Sequence, residues 1–78
     1  MLPQIKVSLY AGLRAVIGGK PSVELEIEPG QTVGDVLDRL GVPRDQTRIL
    51  FVNNRHAGLS DPLHEGDHVA VFPAIGGG

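Results

Sequence analysis

Cysteine is absent from the 78 residues, and that absence removes disulfides, cysteine-ligated zinc, iron-sulfur clusters and a thiol nucleophile together. Long apolar runs are missing as well. Stretches such as Ile49-Leu50-Phe51-Val52 fall far short of the roughly 20 residues that span a bilayer. Met1-Leu2-Pro3 carries neither the basic nor the apolar part of a secretory leader, so the cytoplasm is the expected location. Charge of one sign never accumulates: seven basic and nine acidic residues are interspersed, for a net charge of -2. Neither nucleic acid nor membrane is therefore an expected partner.

What is present suffices for one small domain. A chain of this size buries about 60% of its unfolded surface, enough for one thin core. With 41% hydrophobic and 21% charged residues, the composition is that of a globular chain. No catalytic constellation emerges. Ser8, Ser22 and Ser60 stand in no nucleophile motif, and His56, His64 and His68 fall in a turn-rich region as exposed turn histidines rather than metal ligands. Gly18-Gly19-Lys20 lacks the spacing and the following Ser/Thr of a phosphate loop and reads as a helix stop.

Gln4 to Tyr10 alternates, with Ile5, Val7 and Leu9 on one side, as a half-buried strand does. Tyr10, Leu13, Val16 and Ile17 then share one face of a short helix ended by Gly18-Gly19. Val23, Leu25 and Ile27 define a second strand whose other face carries Glu24, Glu26 and Glu28, a solvated acidic face closed by Pro29-Gly30. Thr32 to Leu40 is the strongest local signal: Thr32 and Asp35 are spaced as a capping box, Val33, Val36, Leu37 and Leu40 form one stripe, and Gly41 is the stop. After a polar connection over Pro43 to Gln46, Thr47 to Val52 reads as a strand paired on both edges. Asn53-Asn54 turns the chain, His56 to Leu59 is a candidate edge strand, and Leu63 is the one apolar anchor before the Glu65-Gly66-Asp67 turn. In the final strand, His68 to Pro73, Val69 and Val71 face inward. Phe72 is thus out of phase with the core, which leaves it either under the short helix on the far side of the sheet or exposed as an apolar grip with Pro73.

These elements make an α+β domain, a mixed sheet of four to five strands with one main helix on one face and a short helix after the first strand. The domain is expected over residues 1–73, with 74–78 as a flexible C-terminal glycine tail. Gly76-Gly77-Gly78 has no Cβ to keep it out of a narrow slot, so such a tail suits insertion into a partner's active site. With no reactive side chains clustered, the Gly78 carboxylate is the one distinctive group left to carry chemistry.

The element order, the Leu63-x-x-Gly66-Asp67 turn and the ending Val71-Phe72-Pro73-Ala74-Ile75-Gly76-Gly77-Gly78 together resemble the MoaD/ThiS family of ubiquitin-like sulfur carriers across essentially the whole chain. The resemblance implies a β-grasp fold whose first and last strands pair in parallel at mid-sheet. It implies a carrier, not an enzyme: an E1-like adenylyltransferase of the MoeB/ThiF kind uses ATP and Mg²⁺ to adenylate Gly78, and a sulfur donor converts the acyl-adenylate to a thiocarboxylate. The sulfur then passes to an acceptor such as a molybdopterin synthase large subunit. Gly76, Gly77 and Gly78 would occupy the partner's tunnel, and Phe72, Pro73, Ala74 and Ile75 would form the partner-binding surface. No permanently bound cofactor or metal is implied. The three terminal glycines look like thiamine-type carriers, whereas Phe72-Pro73 and Leu9-Tyr10-Ala11-Gly12-Leu13-Arg14 look like the molybdopterin branch, which the reading favours. The alternatives are a thiamine-type carrier, a protein modifier joined through Gly78, with Lys6 and Lys20 as the only side-chain sites for polymers, and an interaction module with an inert tail.

Overall fold

A computed structural model describes residues 2–73 of the chain. Ala74 to Gly78, and with them the expected boundary and flexible character of the tail, lie outside the described residues. Five strands, β1 (Gln4–Leu9), β2 (Ser22–Glu26), β3 (Ile49–Val52), β4 (Arg55–His56) and β5 (His68–Phe72), form one sheet in the order β2-β1-β5-β3-β4. β1 and β5 pair in parallel with Val7 opposite Val69, and every other pairing is antiparallel. The last strand therefore lies at the centre of the sheet. Helix α1 (Val33–Leu40) contributes to the core on one face.

The start of α1 accounts for all of its first free N–H groups, as a buried helix end must. Thr32 and Asp35 form the reciprocal capping box. The amides of Val33 and Gly34 donate to the carbonyls of Asp61 and Leu59 at 3.0 and 2.8 Å, which pins the helix to the 59–61 loop. Gly41 ends the helix in the left-handed conformation, at φ 83°. The apolar stripe then buries Val33, Val36 and Leu37 against Ile5, Val7, Leu9, Leu50, Val69 and Val71, with Leu13, Ile27, Val42 and Leu63 closing the ends. Leu63 is buried as expected from its isolation in a polar turn region.

Several local expectations shift. Ala11–Ile17 is a 3-10 helix, whose three-residue turn brings different side chains inward than a 3.6-residue turn would. Leu13 is buried and Ile17 packs against the core, but Val16 is exposed, and Tyr10 is the extended residue before the helix and not part of its face. The edge position of β2 leaves Val23 and Leu25 half-buried, whereas Ile27 beyond the strand is fully buried. The edge strand after the Asn53-Asn54 turn begins at Arg55 and ends at His56, not at Leu59. Both asparagines hold positive φ, 54° and 67°, the conformation of a two-residue hairpin turn.

Candidate functional site

β5 leads directly to Pro73, so the surroundings of its last residues are the candidate site. Because strand side chains alternate, Val69 and Val71 enter the core while His68, Ala70 and Phe72 emerge on the uncovered face. Register puts Ile49 opposite Phe72 and Phe51 opposite Ala70 on β3, and His56 opposite Phe51 on β4. Phe72 stacks on Tyr10 with ring centres 4.4 Å apart and 8° between planes. It also meets Phe51 edge-on at 5.8 Å, and Phe51 meets the His56 ring edge-on at 4.7 Å. Each such pair adds about 0.5–1.5 kcal/mol beyond area burial. Phe72 is thus half-buried in an aromatic row on the open face. The expectation that it packs under the short helix fails in detail, since the buried residue of that helix, Leu13, belongs to the opposite, covered face.

Two shallow cavities flank the stack. One, of 220 Å³, is lined by Tyr10, Phe51, Asn54, His68, Ala70 and Phe72. The other, of 430 Å³, is lined by Arg48, Ile49, Phe51, Phe72 and Pro73. Ile49 is 40% exposed, large for an aliphatic side chain in a strand, and continues the apolar surface towards Pro73. Phe72 and Pro73, anticipated from the sequence as a partner surface, are therefore joined by Tyr10, Phe51 and Ile49, which the sequence reading missed. Because β3 is apolar at all four positions, Ile49-Leu50-Phe51-Val52, no polar alternation marked Ile49 and Phe51 as the open-face pair. Ala74, Ile75 and Gly76 to Gly78 lie outside the described residues.

The polar groups around His68 are structural. Ser8 Oγ and His68 Nε2 share a hydrogen bond of 2.7 Å. Asn53 receives the His68 amide on Oδ1 and donates from Nδ2 to Asp67 Oδ1, while Asp67 Oδ2 accepts from the His64 amide. With Gly66 at φ 83°, this explains the Gly-Asp turn: it aligns β5 and ties it to the hairpin turn between β3 and β4. A third cavity, of 600 Å³, is lined by Val52, Asn53, Arg55, His56, Ala57, Asp61, Pro62, His64 and Asp67. Its carboxylates are already occupied by chain donors, Asp61 Oδ2 by the Gly58 amide, and neither Phe72 nor Pro73 lines it. Among the described residues no group of three or more His, Cys, Asp or Glu side chains could hold a metal ion, and no helix is long and apolar enough to cross a membrane.

The family model described as the ThiS family matches residues 7–78. The molybdopterin synthase sulfur carrier subunit of Mycobacterium tuberculosis is 30% identical over 96% of this chain and 98% of its own length. Small archaeal modifier protein 1 of Haloferax volcanii superposes with a TM-score of 0.76 at 25% identity, over 94% of this chain and 99% of that one. A chain of the complex of subunits 1 and 2 of the molybdopterin-converting factor from Helicobacter pylori shares the fold, with a TM-score of 0.63 at 13% identity over 96% of this chain and 99% of that one. Sequence match across nearly the whole length, the central parallel pairing of first and last strands and the helix-covered mixed sheet agree: this chain belongs to the ThiS family, the MoaD/ThiS group of ubiquitin-like β-grasp sulfur carriers.

Proposed function

We propose that this protein carries sulfur on the Gly78 carboxylate for synthesis of the molybdopterin cofactor of molybdenum or tungsten enzymes. The observation that carries the reading is the aromatic face at the base of the tail. The central strand β5 ends in a half-buried Phe72 stack, and the sequence continues through Pro73, Ala74 and Ile75 to three glycines. One partner can grip the face while a segment free of side chains enters its active site.

A carboxylate is a poor electrophile, because its charge is delocalised and its leaving group would be oxide. In the proposed cycle the Gly78 carboxylate oxygen attacks the α-phosphorus of ATP, held with Mg²⁺ by an E1-like enzyme, and pyrophosphate leaves. Sulfur from a donor then displaces AMP to give the thiocarboxylate, which delivers sulfur inside a large-subunit partner. The chain is the co-substrate of these steps and not their catalyst, and an ATP-dependent activation fits a cytoplasmic location. The relationship to the Mycobacterium tuberculosis subunit supports the molybdopterin branch.

The test is ATP-pyrophosphate exchange with the cognate activating enzyme, run beside thermal melts. Deletion of Gly78 draws the carboxylate back by up to ~3.5 Å, and Gly77→Ala adds a methyl group to a segment that must fit a narrow slot. Both variants should melt as wild type and exchange at a sharply reduced rate. Normal exchange by both would sink the carrier reading. The likeness to small archaeal modifier protein 1 favours one second reading, conjugation of Gly78 to lysines of other proteins. Mass spectrometry in the native host separates the two: sulfur in place of one terminal oxygen marks the carrier, and a branched Gly-Gly remnant on other proteins marks the modifier.

A further inference from the structure

Two arginines bracket the aromatic stack with charges that the described residues leave unused. Arg14 commits only Nε, donated to the Leu9 carbonyl at 2.8 Å, and its guanidinium lies 5.6 Å from the Tyr10 ring centre. Its two terminal nitrogens have no hydrogen-bond partner among the described residues. This fixes the plane of the fork and leaves its ends open, an arrangement suited to a carboxylate. At the other end of the stack, exposed Arg48 lines the cavity with Ile49, Phe72 and Pro73 and forms no ion pair among the described residues. Arg39 and Arg44, by contrast, are committed to the Glu26 carbonyl and to Asp38.

No carboxylate lines either cavity at the stack. The acidic residues of the same sheet face stand on edge strand β2, where Glu24 pairs in register with Lys6 and Glu26 with Gln4. In a chain of net charge -2, the open face is therefore polarised, acidic along β2 and cationic around the aromatic stack. We infer that the partner surface seated here is an apolar projection rimmed by carboxylates, which pair with Arg14 and Arg48, while Glu24 and Glu26 repel the reversed orientation. A second copy of this chain seated stack against stack does not meet that description, because it would set arginine against arginine. The inference rests on the carrier reading, since the activating enzyme is the partner on which it is measured.

The experiment is carrier-dependent ATP-pyrophosphate exchange over a range of ionic strength, with wild type, Arg14→Gln, Arg14→Lys, Arg48→Gln and Arg55→Gln. Arg55 lines the third cavity, away from the stack, and serves as control. The two stack-side Gln variants should raise the KM for the carrier about tenfold at low salt with little change in kcat, and should flatten its rise with salt. Arg14→Lys, which keeps the charge without the fork, should recover part of the loss, and Arg55→Gln should match wild type. Should Arg14→Gln melt below assay temperature, Arg48→Gln decides, since its side chain makes no hydrogen bond among the described residues. Exchange by wild type with unchanged KM and salt dependence in the variants overturns the inference alone. Failure of wild type to support exchange at all overturns the carrier reading and this inference with it.

Discussion

On one side of β5, Val69 and Val71 are fully buried under α1 and its loops, while one step along the strand Ala70 and Phe72 stay half exposed on the other. The two faces of one sheet are built from different chemistry. The covered face is aliphatic, with Val7, Leu9, Leu50, Val69 and Val71, side chains that fill volume without orientation. The open face is aromatic, with Tyr10, Phe51 and Phe72, rings that keep a defined geometry when only half covered and lose little entropy when a partner covers the rest. A filled core and a displayed aromatic surface are thus separated by strand phase alone.

That separation can be broken from the covered side first. Leu37 is fully buried on α1, and Leu37→Ala should cost ~2 to 5 kcal/mol, enough to unfold a large share of so small a domain. A melting curve superimposable on wild type would take Leu37 out of the core. A subtler break adds an atom: a Cβ at Gly34 would stand 3.1 Å from both the Leu59 carbonyl and the Arg44 guanidinium. Alanine ordinarily favours a helix, yet Gly34→Ala should here destabilise by about 1 to 3 kcal/mol through overpacking against a backbone atom, and chemical denaturation measures it. A gain in stability would mean that the loop yields freely.

On the open face the order of effects should reverse. Phe72→Ala removes two ring contacts from a half-covered site, so a stability loss of about 1 to 2 kcal/mol is expected, smaller than the loss in partner affinity. Paired melting and affinity measurements decide, and a large stability loss with unchanged affinity would make Phe72 an ordinary core residue. The smallest effect belongs to the Arg44–Asp38 pair at 2.8 Å, outside both faces. The hydrogen bond from Arg44 holds the Asp38 carboxyl below its usual range. Its stabilising contribution is therefore present above the ordinary aspartate range and fades as pH falls through the lowered value. Both groups are exposed, so Asp38→Asn should leave the melting temperature almost unchanged at neutral pH. A drop comparable to that of Leu37→Ala would show the pair to be part of the core's support.

Helix α1 was legible because cap, stripe and stop all act within a dozen residues: Thr32 with Asp35, Val33 to Leu40, then Gly41. The opposite phase of Phe72 followed from alternation with Val69 and Val71. The partners of Phe72 did not, because Tyr10 is brought to it by parallel pairing of strands at opposite ends of the sequence. The Ser8–His68 bond, 60 residues apart, was hidden for the same reason. Val16 misled because three- and 3.6-residue turns cannot be told apart over two turns of sequence. The crowding at Gly34 depends on where the 59–61 loop passes, which no local pattern encodes.

The parallel union of β1 and β5 at mid-sheet also has a mechanical consequence. A pull on the chain beyond Pro73 would load β5 along its length between β1 and β3. The hydrogen bonds to both neighbours would then resist together, in shear, rather than opening one after another as at a peeled edge. A domain gripped by its tail should bear high force before it opens, so a partner could pull a seated tail free without unravelling the carrier that brought it.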